Sequence, residues 1–336
     1  MLPFNLHFNR QMIAFRHHGL YLNSQKGQIL MKQTFPLTIL ALILLSLSPS
    51  QAAAQGKTKT TPPTKVEKAQ KATAVDPRNT SALLGTPAKI LGTSGGVVYD
   101  VSALDGTTAN PRTPKDSGMS VSGFIGFAFD GNNTLHGLTS ANTSNPNWKS
   151  RIFTISPNNS FSTLGIGPSL NLGGNPFYCL EGDLAYDKSS PGYMYATCND
   201  AGVWRLIIIK LSTGAVTFKG LLPAAAGSYG SPAYPALAFN ASGTELYTLD
   251  TYNRKLYKLN KNNANALSAI PLAGVQPISS TTGSMSFATP DIIYASFGGK
   301  LVTISTSNGA VGVSGNSGSM SGLIVVSPGS GEVIHN

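Results

Sequence analysis

Charge is scarce in this sequence. Only 11% of its 336 residues are Asp, Glu, Lys or Arg, 2 are cysteine and 5 are histidine. Three of the histidines, His7, His17 and His18, lie near the start, which leaves His136 and His335 for the rest of the chain. A Ser-His-Asp or Cys-His catalytic set needs a histidine as its base, and a structural zinc site needs several Cys or His ligands. The zinc inventory is not met and no CxxC spacing occurs, and a catalytic set would rest on His136, whose place in the repeat is a packing one. After residue 80 no long stretch repeats its apolar residues with the 3.6-residue period of a helix, so an all-α or α/β fold is excluded. The longest apolar run, Phe35–Leu47, is too short to span a bilayer comfortably.

Glycine (36) and proline (21) are abundant, and Ser, Thr and Asn crowd the segments between apolar runs. This composition predicts many short strands joined by tight turns. The formal charge of +10 is unevenly placed. Residues 1–54 carry Arg10, Arg16, Lys26 and Lys32 with no acid, and residues 55–85 carry six basic residues against Glu67 and Asp76. From residue 86 onward, 14 basic residues face 12 acidic ones, a net of +2. A nucleic-acid surface needs basic groups concentrated on the folded part, so that class of partner is not expected.

Met31–Gln55 runs through one lysine, the apolar stretch, a Ser-Pro break and Ala52-Ala53-Ala54. That order is the pattern of a secretory signal peptide over 31–54, with residues 1–30 an over-called N-terminus. No cysteine follows for a lipid anchor, and no stable membrane insertion is expected once the leader is removed. Residues 55–85 are rich in Lys, Thr, Pro and Ala and read as a disordered tether. The expected location is secreted or periplasmic.

From residue 86 to 336 one pattern recurs. Its clearest element is a third strand, present as Val98–Ser102, Ile152–Ser156, Ile208–Ser212, Leu256–Asn260 and Leu301–Ser305. First strands align as Phe127–Asp130, Leu184–Asp187, Leu237–Asn240, Met285–Phe287 and Ile324–Ser327. Second strands fall at Thr134–Leu138, Tyr193–Thr197, Glu245–Leu249, Ile292–Ser296 and Glu332–His335. Four-stranded units every roughly 40–60 residues indicate a β-propeller. The expected fold is all-β: five blades, the last stitched from Val97–Thr108 and Gly322–Asn336. Six blades remain the alternative if residues 83–96 hold further strands. The LAFN and LYKL segments around Tyr247 resemble the repeats of bacterial secreted propellers of the NHL and YVTN type. That resemblance spans about residues 92–336 and implies a fold that hosts binding modules and enzymes alike.

In an exported chain, Cys179 and Cys198 form a disulfide, and counting inward places them opposite each other with the turn at Lys188-Ser189. His136 aligns with Tyr195, Tyr247, Tyr294 and His335, a packing position rather than a catalytic one. Antiparallel order puts the entries to the inner strands and the second turns on one face. The entries carry Phe124, Glu181, Tyr234, Thr282 and Ser321, followed by Gly126, Asp183, Ala236, Ser284 and Leu323. Glu181 and Asp183 are two oxygen donors for a Ca²⁺ at the channel mouth, against the plainer reading of rim carboxylates. The resemblance adds that Glu181-Gly182 looks like the Glu-Gly pair of metal-dependent lactonase propellers, whose companion Asn and Asp ligands are missing here. The second turns carry Trp148, Trp204, Tyr252 and Phe297, rings that stack on a sugar or pack within their own blades. The functional expectation is a non-catalytic binding or scaffold module for a carbohydrate or a cell-envelope protein. The alternative is a lactonase-like hydrolase or lyase with a cation at the channel.

Overall fold

The computed structural model describes residues 89–116, 119–121, 123–132, 134–140, 149–156, 161–223, 233–274 and 282–326. The leader, the tether, Trp148 and Glu332–His335 lie outside the described residues. The fold is an all-β propeller of five blades, each built on four antiparallel strands. In order from the axis outward, the blade that closes the ring holds Gly322–Val326, Lys89–Ser94, Val97–Val101 and Thr108–Arg112. Blade 2 holds Phe124–Phe129, Leu135–Thr139, Arg151–Ser156 and Thr163–Ser169. Blade 3 holds Gly182–Tyr186, Tyr193–Asp200, Val203–Lys210 and Val216–Leu221. Blade 4 holds Ala236–Phe239, Leu246–Asp250, Lys255–Leu259 and Ala266–Pro271. Blade 5 holds Gly283–Thr289, Ile292–Phe297, Lys300–Ser305 and Val311–Asn316.

The seam differs from the sequence expectation in one strand. Gly322–Val326 pairs with Lys89–Ser94, with Ile90 opposite Val325 and Leu91 opposite Ile324. The second-strand place assigned to Glu332–His335 is therefore filled from the N-terminal side, and the seam is one strand plus three rather than two plus two. The physical cause is readable in Ser94-Gly95-Gly96-Val97. Gly95 and Gly96 both take positive φ, 56° and 84°, and Ser94 pairs with Val97, the two-residue hairpin turn that matches strand twist. Gly298-Gly299 and Ala201-Gly202 make the same kind of turn in blades 5 and 3.

Each inner strand contacts the next around the axis, and Gly322–Val326 touches Phe124–Phe129 to complete the circle. Five apolar clusters lie between neighbouring blades rather than in one central core. In the interface of blades 3 and 4, Tyr195 packs edge-on against Phe239. Tyr247 meets Phe287 one interface further. His136 and Tyr294 are buried at the matching register, opposite Ala128 and Ser286. In the closing blade that position belongs to Leu91, which pairs with Ile324, and not to His335.

Candidate functional site

An innermost strand has one edge with no strand beside it, so its amides must find other partners or water. Here side chains from the inner strands supply them. Asp183 Oδ1 accepts from the Leu184 amide at 2.9 Å. Its Oδ2 accepts from the Leu237 amide of blade 4 at 3.1 Å and from the Ser284 hydroxyl of blade 5 at 2.7 Å. The Met285 amide donates to the same carboxyl. Ser284 Oγ in turn accepts from the Leu323 amide of the closing blade at 2.9 Å, and Ser286 Oγ from the Val325 amide at 2.9 Å.

The pattern fixes the register around the axis. Leu323 gives its amide to Ser284 as Leu237 gives its own to Asp183, so Leu323 corresponds to Leu237. The ring at the level of Asp183 is thus Gly126, Asp183, Ala236, Ser284 and Gly322, and Leu323 sits one residue further along. A shift of one residue turns a side chain to the other face of a strand, and Leu323 accordingly packs against blade 5. The small members of the ring leave room for the one long one. A Cβ on Gly126 would stand 2.6 Å from the Asp183 Cα, so this glycine is required by close approach. Asp183 is fully buried, and burial pushes its carboxyl well above the usual carboxylate range against the pull of its four donors.

Glu181 lies two residues nearer the surface and is half-buried. Its Oε2 accepts from Asn199 Nδ2 at 2.8 Å, and its carbonyl accepts from the Asn199 amide at 2.8 Å. Among the described residues, no three His, Cys, Asp or Glu side chains gather where they could hold a metal ion.

Cys179 and Cys198 are joined in a disulfide with their Cα atoms 5.4 Å apart. They do not face each other across the ladder as inward counting suggests. Cys198 stands opposite Gly182, and the longer turn between Tyr186 and Tyr193 shifts the register by three residues. Cys179 reaches its partner because the chain before Gly182 curls over the strand end, with Leu180 donating to the Asn199 carbonyl at 3.0 Å. Gly182 permits this: a Cβ there would overlap the Thr197 carbonyl oxygen. The Ser150 hydroxyl accepts from the Cys179 amide at 2.8 Å and lies 3.0 Å from the Cys179 carbonyl, which ties the disulfide to blade 2. The disulfide suggests an extracytoplasmic location. Among the described residues no helix is long and apolar enough to cross a membrane.

The aromatic positions separate by depth. Phe124 is buried against Phe127 and Phe153. Tyr234 is fully buried between Trp204 and Tyr257, and its hydroxyl donates to the Pro223 carbonyl. Trp204 is 8% exposed and Phe297 2%. Tyr252 is half-buried in the blade 4 turn, where its amide donates to Asp250 Oδ1 at 3.1 Å. Of the described rings among the predicted ligand positions, Tyr252 is therefore the one that is not buried. His136 is buried, with Nε2 at 3.0 Å from Asp130 Oδ2. Burial raises Asp130, but His136 and the Thr134 and Asn132 amides outweigh it and hold its carboxyl below the usual range.

No protein-family model matches the chain, and no curated protein matches it. Solved structures do. A chain of the nidogen–laminin complex is 12% identical with a TM-score of 0.41, over 70% of this chain and 97% of that one. A candidate 6-phosphogluconolactonase from Bacteroides uniformis is 13% identical with a TM-score of 0.39, over 68% of this chain and 66% of that one. An auxiliary nutrient binding protein from Bacteroides ovatus is 11% identical with a TM-score of 0.40, over 67% of this chain and 56% of that one. The chain thus spans less than two thirds of the length of either Bacteroides protein. At these identities and TM-scores the likeness carries nothing about activity or ligand, and the five-bladed ring stands on this chain's own strand pairing.

Proposed function

We propose that the chain is an exported, non-catalytic binding or scaffold protein whose ligand docks on the entry face of the propeller. That ligand is a carbohydrate or a protein of the cell envelope. The observation that carries the reading is Asp183. The acid on the axis spends both of its oxygens joining blade 3 to blades 4 and 5, so it serves the architecture and not a reaction. Residues 31–54 act as the signal peptide and residues 55–85 as the tether that spaces the propeller from its surroundings. The buried disulfide suits an oxidising compartment. The ligand-contacting positions are Tyr252 and Trp148, the second in the loop insertion of blade 2 and outside the described residues.

The test is a glycan-array screen and an envelope-protein pull-down with the full chain, its Tyr252→Ala variant and its Trp148→Ala variant. Binding weakened by either substitution supports the proposal. Absence of any ligand in both screens, together with lactone turnover that a chelator abolishes, overturns it in favour of the hydrolase.

A further inference from the structure

The two faces of the propeller differ in charge. The start of each third strand and the turn before it lie on the entry face. In blades 2 to 5 these positions carry Lys149, Arg151, Arg205, Arg254, Lys255 and Lys300. Lys149, Arg254 and Lys300 are exposed, and each belongs to a different blade.

The acids of that face are taken up. Asp183 and Asp250 are fully buried. Asp250 accepts from the amides of Tyr252 and Asn253. Asp200 is paired with Arg205 at 3.1 Å, and Glu181 accepts from Asn199. On the opposite face the charges are balanced instead. There Asp187 meets Lys261 at 2.6 Å, Glu245 meets Lys258, and Asp105 and Asp291 are exposed. The net charge of +2 from residue 86 onward hides this separation, because composition does not say which face a residue is on.

Resting on the binding reading above, we infer that the ligand is an acidic polysaccharide, a chain of carboxylate- or sulfate-bearing sugars laid along the rim of the entry face. Two features select this class. A neutral glycan is held mainly by exposed rings, and Trp204, Phe297, Phe124 and Tyr234 are buried. The exposed cations Lys149, Arg254 and Lys300 stand on three separate blades, 2, 4 and 5, which suits a polymer touching several points rather than one small anion. Cations spread over a face attract such a chain through the summed field and lose that attraction as salt screens it.

The experiment measures binding of the full chain to immobilised polygalacturonate, heparin and neutral dextran, each at low and high sodium chloride. The variants are Lys149→Glu/Lys300→Glu and, as a control of equal charge change on the opposite face, Lys188→Glu/Lys210→Glu. The expected result is binding to the acidic polymers alone, weakened on the order of tenfold or more by high salt and by the double reversal, with the control close to wild type. Binding to dextran that salt and the double reversal leave unchanged overturns the acidic ligand and leaves the binding module standing. Equal loss in the control reduces the effect to net charge and also overturns it. Binding to none of these polymers, or to any envelope component, overturns both readings.

Discussion

Asp183 is the side chain on which the axis depends. Truncated to alanine, it would leave the Leu184, Leu237 and Met285 amides and the Ser284 hydroxyl without their acceptor in a buried place. Each such loss costs about 1–3 kcal/mol, so Asp183→Ala is expected to be destabilised by several kcal/mol or to fail to fold. Asp183→Asn is the more informative change. The folded-state pKa of Asp183 is raised by burial, while the unfolded chain ionises near the ordinary value of about 3.9. Its contribution to stability is therefore fully present below about pH 3.9 and is lost as pH rises toward the folded value. Asparagine does not ionise. Whatever fixed cost the amide imposes, the stability of Asp183→Asn relative to wild type should improve between pH 4 and pH 8. Melting temperatures of both proteins across that range check this, and a constant difference would show that the carboxyl does not titrate abnormally. The sequence does reveal an acid at this station. It also lists Gly126, Ala236 and Ser284 beside it, but not that the fifth member is Gly322 rather than Leu323, which lets the acid lie across the channel rather than at its mouth.

At the scale of strands and turns, legibility follows local chemistry. Third strands such as Leu256–Leu259 announce themselves by alternation and by the glycine or asparagine turns after them. Lys89–Ser94 contains glycine and threonine and lacks a strong alternating stripe, so it is easily passed over, although the Gly95-Gly96 pair behind it is a hairpin signal in its own right. Pairing register is harder still, because it depends on the length a turn takes up in space. The turn between Tyr186 and Tyr193 moved Cys179 three places off its expected partner, yet the disulfide forms because the strand entry bends over Gly182. A crosslink of sequence separation 19 should stabilise the blade by about 3 kcal/mol through the unfolded chain it constrains. Denaturant titrations of the wild type and of Cys179→Ser/Cys198→Ser should differ by about that amount. Adding a reductant should move only the wild type, and coincident curves in oxidising buffer would show the crosslink to be energetically idle.

For the molecule as a whole, closure is the property that matters. Gly322–Val326 supplies the inner strand of one blade and takes part in two interfaces, with Leu323 and Val325 against blade 5 and Ile324 against blade 2. Deleting residues 322–336 should open the ring, expose the edges of Lys89–Ser94 and Gly283–Thr289, and yield a protein that aggregates or melts without a cooperative transition. A truncated protein that still melts sharply near the wild-type temperature would show that the other four blades form a self-sufficient unit. Blade number was legible because the repeat is long and written several times. The charge contrast between the faces was not, since it emerges only when strand direction assigns each lysine and arginine to one rim.

The one-plus-three seam also sets an order of events during biosynthesis. Three strands of the closing blade are translated before any of the other blades, whereas their inner partner is translated after all of them. The early trio must wait, unpaired on its axial side, while the remaining blades emerge. A chain built this way cannot close its ring until its last inner strand has been made.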